Sequence, residues 1–122
     1  MRDTDRRIAD AIRAIELSLE PSRWTDGNHL DATSGQKVFE DERKAAQHLE
    51  GIKSRRAQLA GWIGSLVMID RELAETAIAE STDPRAIAKA QSDLVKGDAA
   101  AAAGKARDAI DHYAEAWGRV TP

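Results

Sequence analysis

Cysteine is absent from the 122 residues, so neither a disulfide framework nor a thiolate metal site is open to this chain. Aromatic side chains are nearly as scarce: three Trp, one Tyr and one Phe. No apolar run approaches the roughly 18 residues that a membrane-spanning helix needs, which argues against membrane insertion. The net charge is −3 with both signs interspersed and no basic stripe, a pattern that speaks against a nucleic-acid partner. The charged start, Met1 to Ile12, lacks the apolar stretch of a secretory signal. Either the chain is cytoplasmic, with Met1 its native start, or it is a piece of a longer protein.

Alanine is what the chain has in quantity. Hydrophobic residues make up 42% of the sequence, but 23 of them are Ala and only 28 are larger. Alanine adds little buried area and has the best helix propensity, so the core must come from close packing of helices. A length of 122 residues suits one domain, residues 1–122, with a single modest core.

Hydrophobic periodicity divides the chain into helices. Ile8, Ile12, Ile15 and Leu19, with Ala11, recur at helical spacing in a first helix that stops before Pro21. Pro21 to Gly35 reads as an ordered loop, and a loop of that length without secondary structure is unusual unless it packs or functions. A second helix, capped by Thr33 or Ser34, carries Val38, Ala45, Ala46, Leu49 and Ile52 on one face. A turn near Lys53–Arg56 leads to a third, with a broad arc of Leu59, Trp62, Ile63, Leu66, Ile69, Leu73, Ala77 and Ile78. Across from that arc runs a stripe of Ala57, Gly61, Gly64 and Met68. Glycine inside a helix costs about 1 kcal/mol relative to alanine, which close approach of another helix would offset. This half-helix is therefore either central in the bundle or an interface, and the central position is preferred. Asp83-Pro84 starts a fourth helix, with Asp83 as N-cap and Pro84 at the first helical position. Gly97 is a candidate kink and Gly104 a stop. A last helix turns Ala106, Ile110, Tyr113, Trp117 and Val120 inward. The expectation is an all-α fold, an antiparallel bundle of four to five helices without strands.

Charges at apolar positions are the informative polar features. Asp70 falls in the third helix's apolar arc, Glu42 among Val38, Ala45 and Leu49, and Gln91 beside Ile87 and Leu94. A buried carboxylate must be paired, hydrogen-bonded or neutralised. The candidate partners are groups of the long loop: the Trp24 indole, His29, Asn28 and the amides near Gly27. Glu42 and Asp70 are thus expected to pin the loop through Trp24 and His29. A metal site of Asp26, His29, Glu42 and Asp70 is the alternative, since a bundle core can hold such ligands, although the paired Glu-x-x-His motifs of di-metal bundles are missing. Asp108, His112 and Glu115 have ligand-like spacing but lie opposite Ile110, Tyr113 and Trp117, on a solvated face. No nucleophile–base pairing and no Gly-rich phosphate loop is present. The chain reads as non-catalytic and without a cofactor.

Trp24-Thr-Asp-Gly-Asn-His29-Leu30, followed by Gly35-Gln-Lys-Val38-Phe39 and Glu42, forms one distinctive segment; Gly104-Lys-Ala-Arg-Asp-Ala109-Ile110-Asp-His112-Tyr113-Ala-Glu-Ala116-Trp117 forms another. With Asp70-Arg-Glu-Leu73-Ala74 and Ala88-Lys-Ala90-Gln91, they resemble a helical domain recurring near the C-termini of large secreted or cell-surface bacterial proteins. That domain typically follows immunoglobulin-like or other extracellular modules. The resemblance implies an accessory or spacer unit, extracellular as part of a longer chain. Its partners would be proteins: neighbouring domains or a second copy. A cytoplasmic adaptor binding a helix or peptide along Ala57, Gly61, Gly64 and Met68 is the remaining reading.

Overall fold

A computed structural model describes residues 3–52 and 56–121, with the side chains of 56 and 57 also outside the description. The elements are α1 (Asp3–Ser18), β1 (Trp24–Asp26), β2 (His29–Leu30), α2 (Gln36–Glu50), α3 (Arg56–Glu80), α4 (Pro84–Ala102) and α5 (Ala106–Val120). Five helices pack together, as the periodicity predicts. Of the turn expected near Lys53–Arg56, residues 53–55 fall outside the described residues, and Arg56 already opens α3.

Local chemistry sets the ends of α4. The Asp83 carboxylate accepts from the amides of Arg85 (3.0 Å) and Ala86 (3.4 Å), with Pro84 at the first position, a cap worth about 1 kcal/mol. At the far end Gly104 takes a φ of +76°, and the Lys105 amide returns to the Ala100 carbonyl at 2.9 Å. That left-handed residue is why glycine stops the helix there. Gly97 does not kink α4. It is buried mid-helix, where a Cβ would lie 2.4 Å from a Tyr113 ring carbon, so its small size lets α5 approach.

The position expected for α3 belongs to α5. This last helix packs against α2, α3 and α4. It runs antiparallel to α2: Gln36 lies beside Gly118, Arg43 binds Asp111 at 3.0 Å and Arg107 binds Glu50 at 2.9 Å. Around α5 gathers the larger apolar cluster, including Val38, Phe39, Ala74, Ile110, Tyr113 and Trp117. The smaller one joins α1, α2 and the first half of α3 through Ala11, Ala14, Ala45, Leu49, Leu59 and Leu66. Ile63 touches both.

Several inward positions read from periodicity turn outward. On α1 the buried residues are Ala11, Ala14 and Ser18, while Ile12 is 51% exposed and Leu19 62%. Trp62 and Ile69 are largely exposed on α3, as is Gln91 on α4. Each lies at the margin of a helical stripe, and the bundle supplies no neighbour wide enough to cover both margins.

Candidate functional site

Residues 21–35 are not featureless. A single 3-10 turn, Pro21–Arg23, runs into an antiparallel hairpin in which Trp24 pairs with Leu30 and Asp26 with His29. The turn residues are Gly27 and Asn28, and the Asn28 amide donates to the Asp26 carboxylate at 2.8 Å. The sequence reading missed these strands although Gly27-Asn28 is a two-residue hairpin signal. Asp31, rather than Thr33 or Ser34, closes the loop onto α2: its carboxylate accepts from the Thr33 and Ser34 amides and from the Ser34 hydroxyl.

Trp24 and His29 both hold this loop, by contacts other than those foreseen. The Trp24 indole donates to the Ser18 carbonyl at 2.7 Å, fastening the loop to the end of α1. His29 bridges two carboxylates, with Nδ1 2.8 Å from Asp26 and Nε2 2.6 Å from Glu80 at the end of α3. Glu80 first, and then Asp26, raise the His29 pKa; the Asn28 amide, and then His29, lower that of Asp26. A third fastener was not foreseen: Arg23 binds Asp41, an acid buried on α2. The loop is thus anchored through the neighbour of Glu42, not through Glu42.

Glu42 and Asp70 turn to each other. Asp70 is fully buried and Glu42 is 4% exposed. Among the described residues, neither Asp70 oxygen nor the Glu42 Oε2 meets a hydrogen-bond donor. Burial, and then the Glu42 carboxyl, push the Asp70 pKa well above the carboxylate range; burial pushes Glu42 up as well. Two neighbouring acids buried without a donor disfavour joint ionisation, so protonation of at least one of them is favoured.

The four residues of the alternative metal site are therefore split. Asp26 and His29 sit on the exposed hairpin and Glu42 and Asp70 in the interior, and no group of three potential ligands converges among the described residues. The ligand-like triplet on α5 does not converge either: Asp108 and Glu115 are exposed, whereas His112 is half-buried with its Nδ1 enclosed.

The stripe on α3 is surface, which corrects the central placement. Gly61, Gly64 and Met68 are exposed, Met68 by 64%, and a Cβ on either glycine would meet nothing within 4 Å. Ala57 belongs to the first turn of α3, its side chain outside the described set. A groove of about 990 Å³ runs beside the stripe to the α4–α5 turn, lined by Gly61, Gly64, Met68, Ala101, Gly104 and Arg107. On the other flank of α3 lies an apolar slot of about 330 Å³ between Ile8, Ile12, Ile15, Leu49, Trp62 and Leu66. From Ala57 to Ile69 the chain has no charged residue, although Gly61, Trp62, Gly64, Met68 and Ile69 are exposed.

Polar networks elsewhere are structural. The Tyr113 hydroxyl donates to Asp98 at 2.6 Å, and Arg71 holds the same carboxylate at 2.7 and 3.1 Å. Arg71 first, and with it the hydroxyl, keeps the Asp98 pKa low. Arg119 reaches the buried Asp93 at 3.0 Å. No helix is long and apolar enough to cross a membrane among the described residues. Compared with protein-family models, curated proteins and solved structures, the chain matches none, so the reading of its site rests on its own geometry.

Proposed function

We propose that this chain is a non-catalytic protein-interaction module that serves as an accessory domain of a larger extracellular bacterial protein and docks its partner on the first half of α3. One observation carries the docking half of the reading: an uncharged helical stretch, residues 57–69, that leaves Trp62, Met68 and Ile69 exposed at 46%, 64% and 44%. Depletion of charge with Trp and Met at the surface is the composition of an interface core, and contiguous apolar patches on soluble domains mark contact sites. Ile12, 51% exposed on α1, belongs to the slot that continues this face. The accessory-domain half rests on the resemblance of the Trp24–Glu42 and Gly104–Trp117 segments. The non-catalytic reading is supported by the ion pairs that occupy Asp41 and Asp93, two of the four buried acids.

Photo-cross-linking tests the docking. A photoreactive phenylalanine analogue is placed at position 68, and as a control at 95, where Val95 is 67% exposed on α4. After irradiation in cells of the source organism, the reading expects a discrete adduct from position 68 alone. Its mass distinguishes a second copy from another protein or domain. Equal or absent labelling at the two positions would refute the assignment of this face.

A further inference from the structure

The Glu42–Asp70 pair sits where the two apolar clusters meet. On α2, Val38, Phe39 and Ala46 belong to the larger cluster and Ala45 and Leu49 to the smaller, with Glu42 between them. On α3, Leu66 belongs to the smaller and Val67, Leu73 and Ala74 to the larger, with Asp70 among them. The acids therefore join α2 to α3 along the seam between the cores.

Among the described residues no cation is at hand to neutralise them. Arg23 is committed to Asp41, Arg43 to Asp111, Arg71 to Asp98 and Glu75, Arg107 to Glu50, and Arg119 to Asp93. The Tyr113 hydroxyl of α5 is given to Asp98. His112 of α5 has an enclosed Nδ1 without a partner, but does not contribute to the shift of either acid. From α1, too, no charged group acts on the pair; Glu42 and Asp70 influence each other alone.

We propose that the Glu42–Asp70 pair is a proton-operated seam: with its shared proton it keeps the smaller cluster closed on the larger, and losing that proton opens the α1 side of the bundle while the α5-centred core stays folded. Ionising both acids places two like charges in the interior with three oxygens lacking donors, and the structure can relieve this only by admitting water between α2 and α3. The smaller cluster already borders an open slot at Ala11, Leu49 and Leu66, so it is the side that yields, and its apolar side chains then add to the exposed face of α3. The inference rests on the proposed docking function only for the use made of that surface.

The sign follows from the raised pKa of both acids. The folded state binds more protons than the unfolded one above the ordinary values of 3.8 and 4.5. The closed seam is thus most stable below those values and is lost as pH rises through the raised pKa of the pair.

Hydrogen exchange read residue by residue on the whole chain, with intrinsic rates corrected for pH, tests this. From about pH 5 to about pH 9, protection at Ala11, Ala14, Leu49 and Leu66 should fall about tenfold for each unit by which the pair's pKa is raised. Protection at Ile110, Tyr113 and Trp117 should hold. Asp70→Asn and Glu42→Gln should each reduce the pH response, because the remaining acid is still buried, and the double variant should abolish it. Constant protection in the wild type, an equal fall in both clusters, or a pH response retained in the double variant would overturn the proposal. None of these readouts involves a partner, so a failed cross-link at position 68 leaves the seam standing, and the reverse also holds.

Discussion

Two tryptophans summarise how differently the halves of this bundle are built. Trp117 lies on α5, 5% exposed, with its ring centroid 5.7 Å from that of Phe39 in a tilted pair, and helices crowd around it. Trp62 lies on the first half of α3, 46% exposed, at the edge of an apolar slot that α1 covers only in part. Both stand at apolar positions of helical stripes. What separates them is the number of helices that reach each side chain. The α5-centred half is a packed core with ion pairs at its edge; the α1 side combines a thinner core with apolar surface left open. Stability belongs mainly to the first half, and the surface available for contact to the second.

Truncating the two tryptophans should break or uphold that contrast most visibly. Trp117→Ala is expected to cost about 3–5 kcal/mol, the range for a large aromatic removed from a core. Trp62→Ala should cost less than about 1 kcal/mol, nearer the behaviour of surface sites. Urea titrations giving the unfolding midpoint decide it, and equal losses would mean the halves are packed alike.

Two glycines provide the next test. Gly97→Ala forces a Cβ to within 2.4 Å of the Tyr113 ring, and such overpacking should cost about 1–3 kcal/mol. Gly64→Ala meets nothing within 4 Å and should stabilise by up to about 1 kcal/mol through helix propensity. Thermal melts of the two variants should therefore move in opposite directions.

The smallest effect concerns the loop. His29 has its pKa raised by Glu80 and Asp26, so its bridge contributes stability in full below 6.5, and that contribution is lost as pH rises through the raised value. His29→Gln should flatten this part of the pH–stability curve while leaving the acidic limb. Chemical shifts of the His29 ring followed through the titration would reveal a pKa at or below 6.5 if the bridge were not formed in solution.

Much of this was legible in the residues. Asp83-Pro84 starts α4 and Gly104 stops it because capping and left-handed φ are properties of one turn of chain. The inward face of α5 follows from Ile110, Tyr113 and Trp117 for the same local reason. Burial of Glu42 and Asp70 could also be inferred, from their place on apolar stripes. Their partner could not. Successive residues on a helix point about 100° apart, so whether Asp41 or Glu42 receives the loop depends on a rotation of α2 that only its neighbours decide. The Gly27-Asn28 turn carried a readable hairpin signal that the apolar pattern obscured.

By itself, then, the sequence determined the helices, most of their ends, and the presence of two acids that must give up water. Those are short-range matters of propensity, capping and period. The tertiary structure alone decided that α5 and not α3 takes the centre, that Gly97 makes room for Tyr113 instead of bending α4, and that the two acids face each other across the seam. Each depends on which distant elements meet and how closely. A helical stripe states which face can be buried, and only the packing of five helices settles how much of it is.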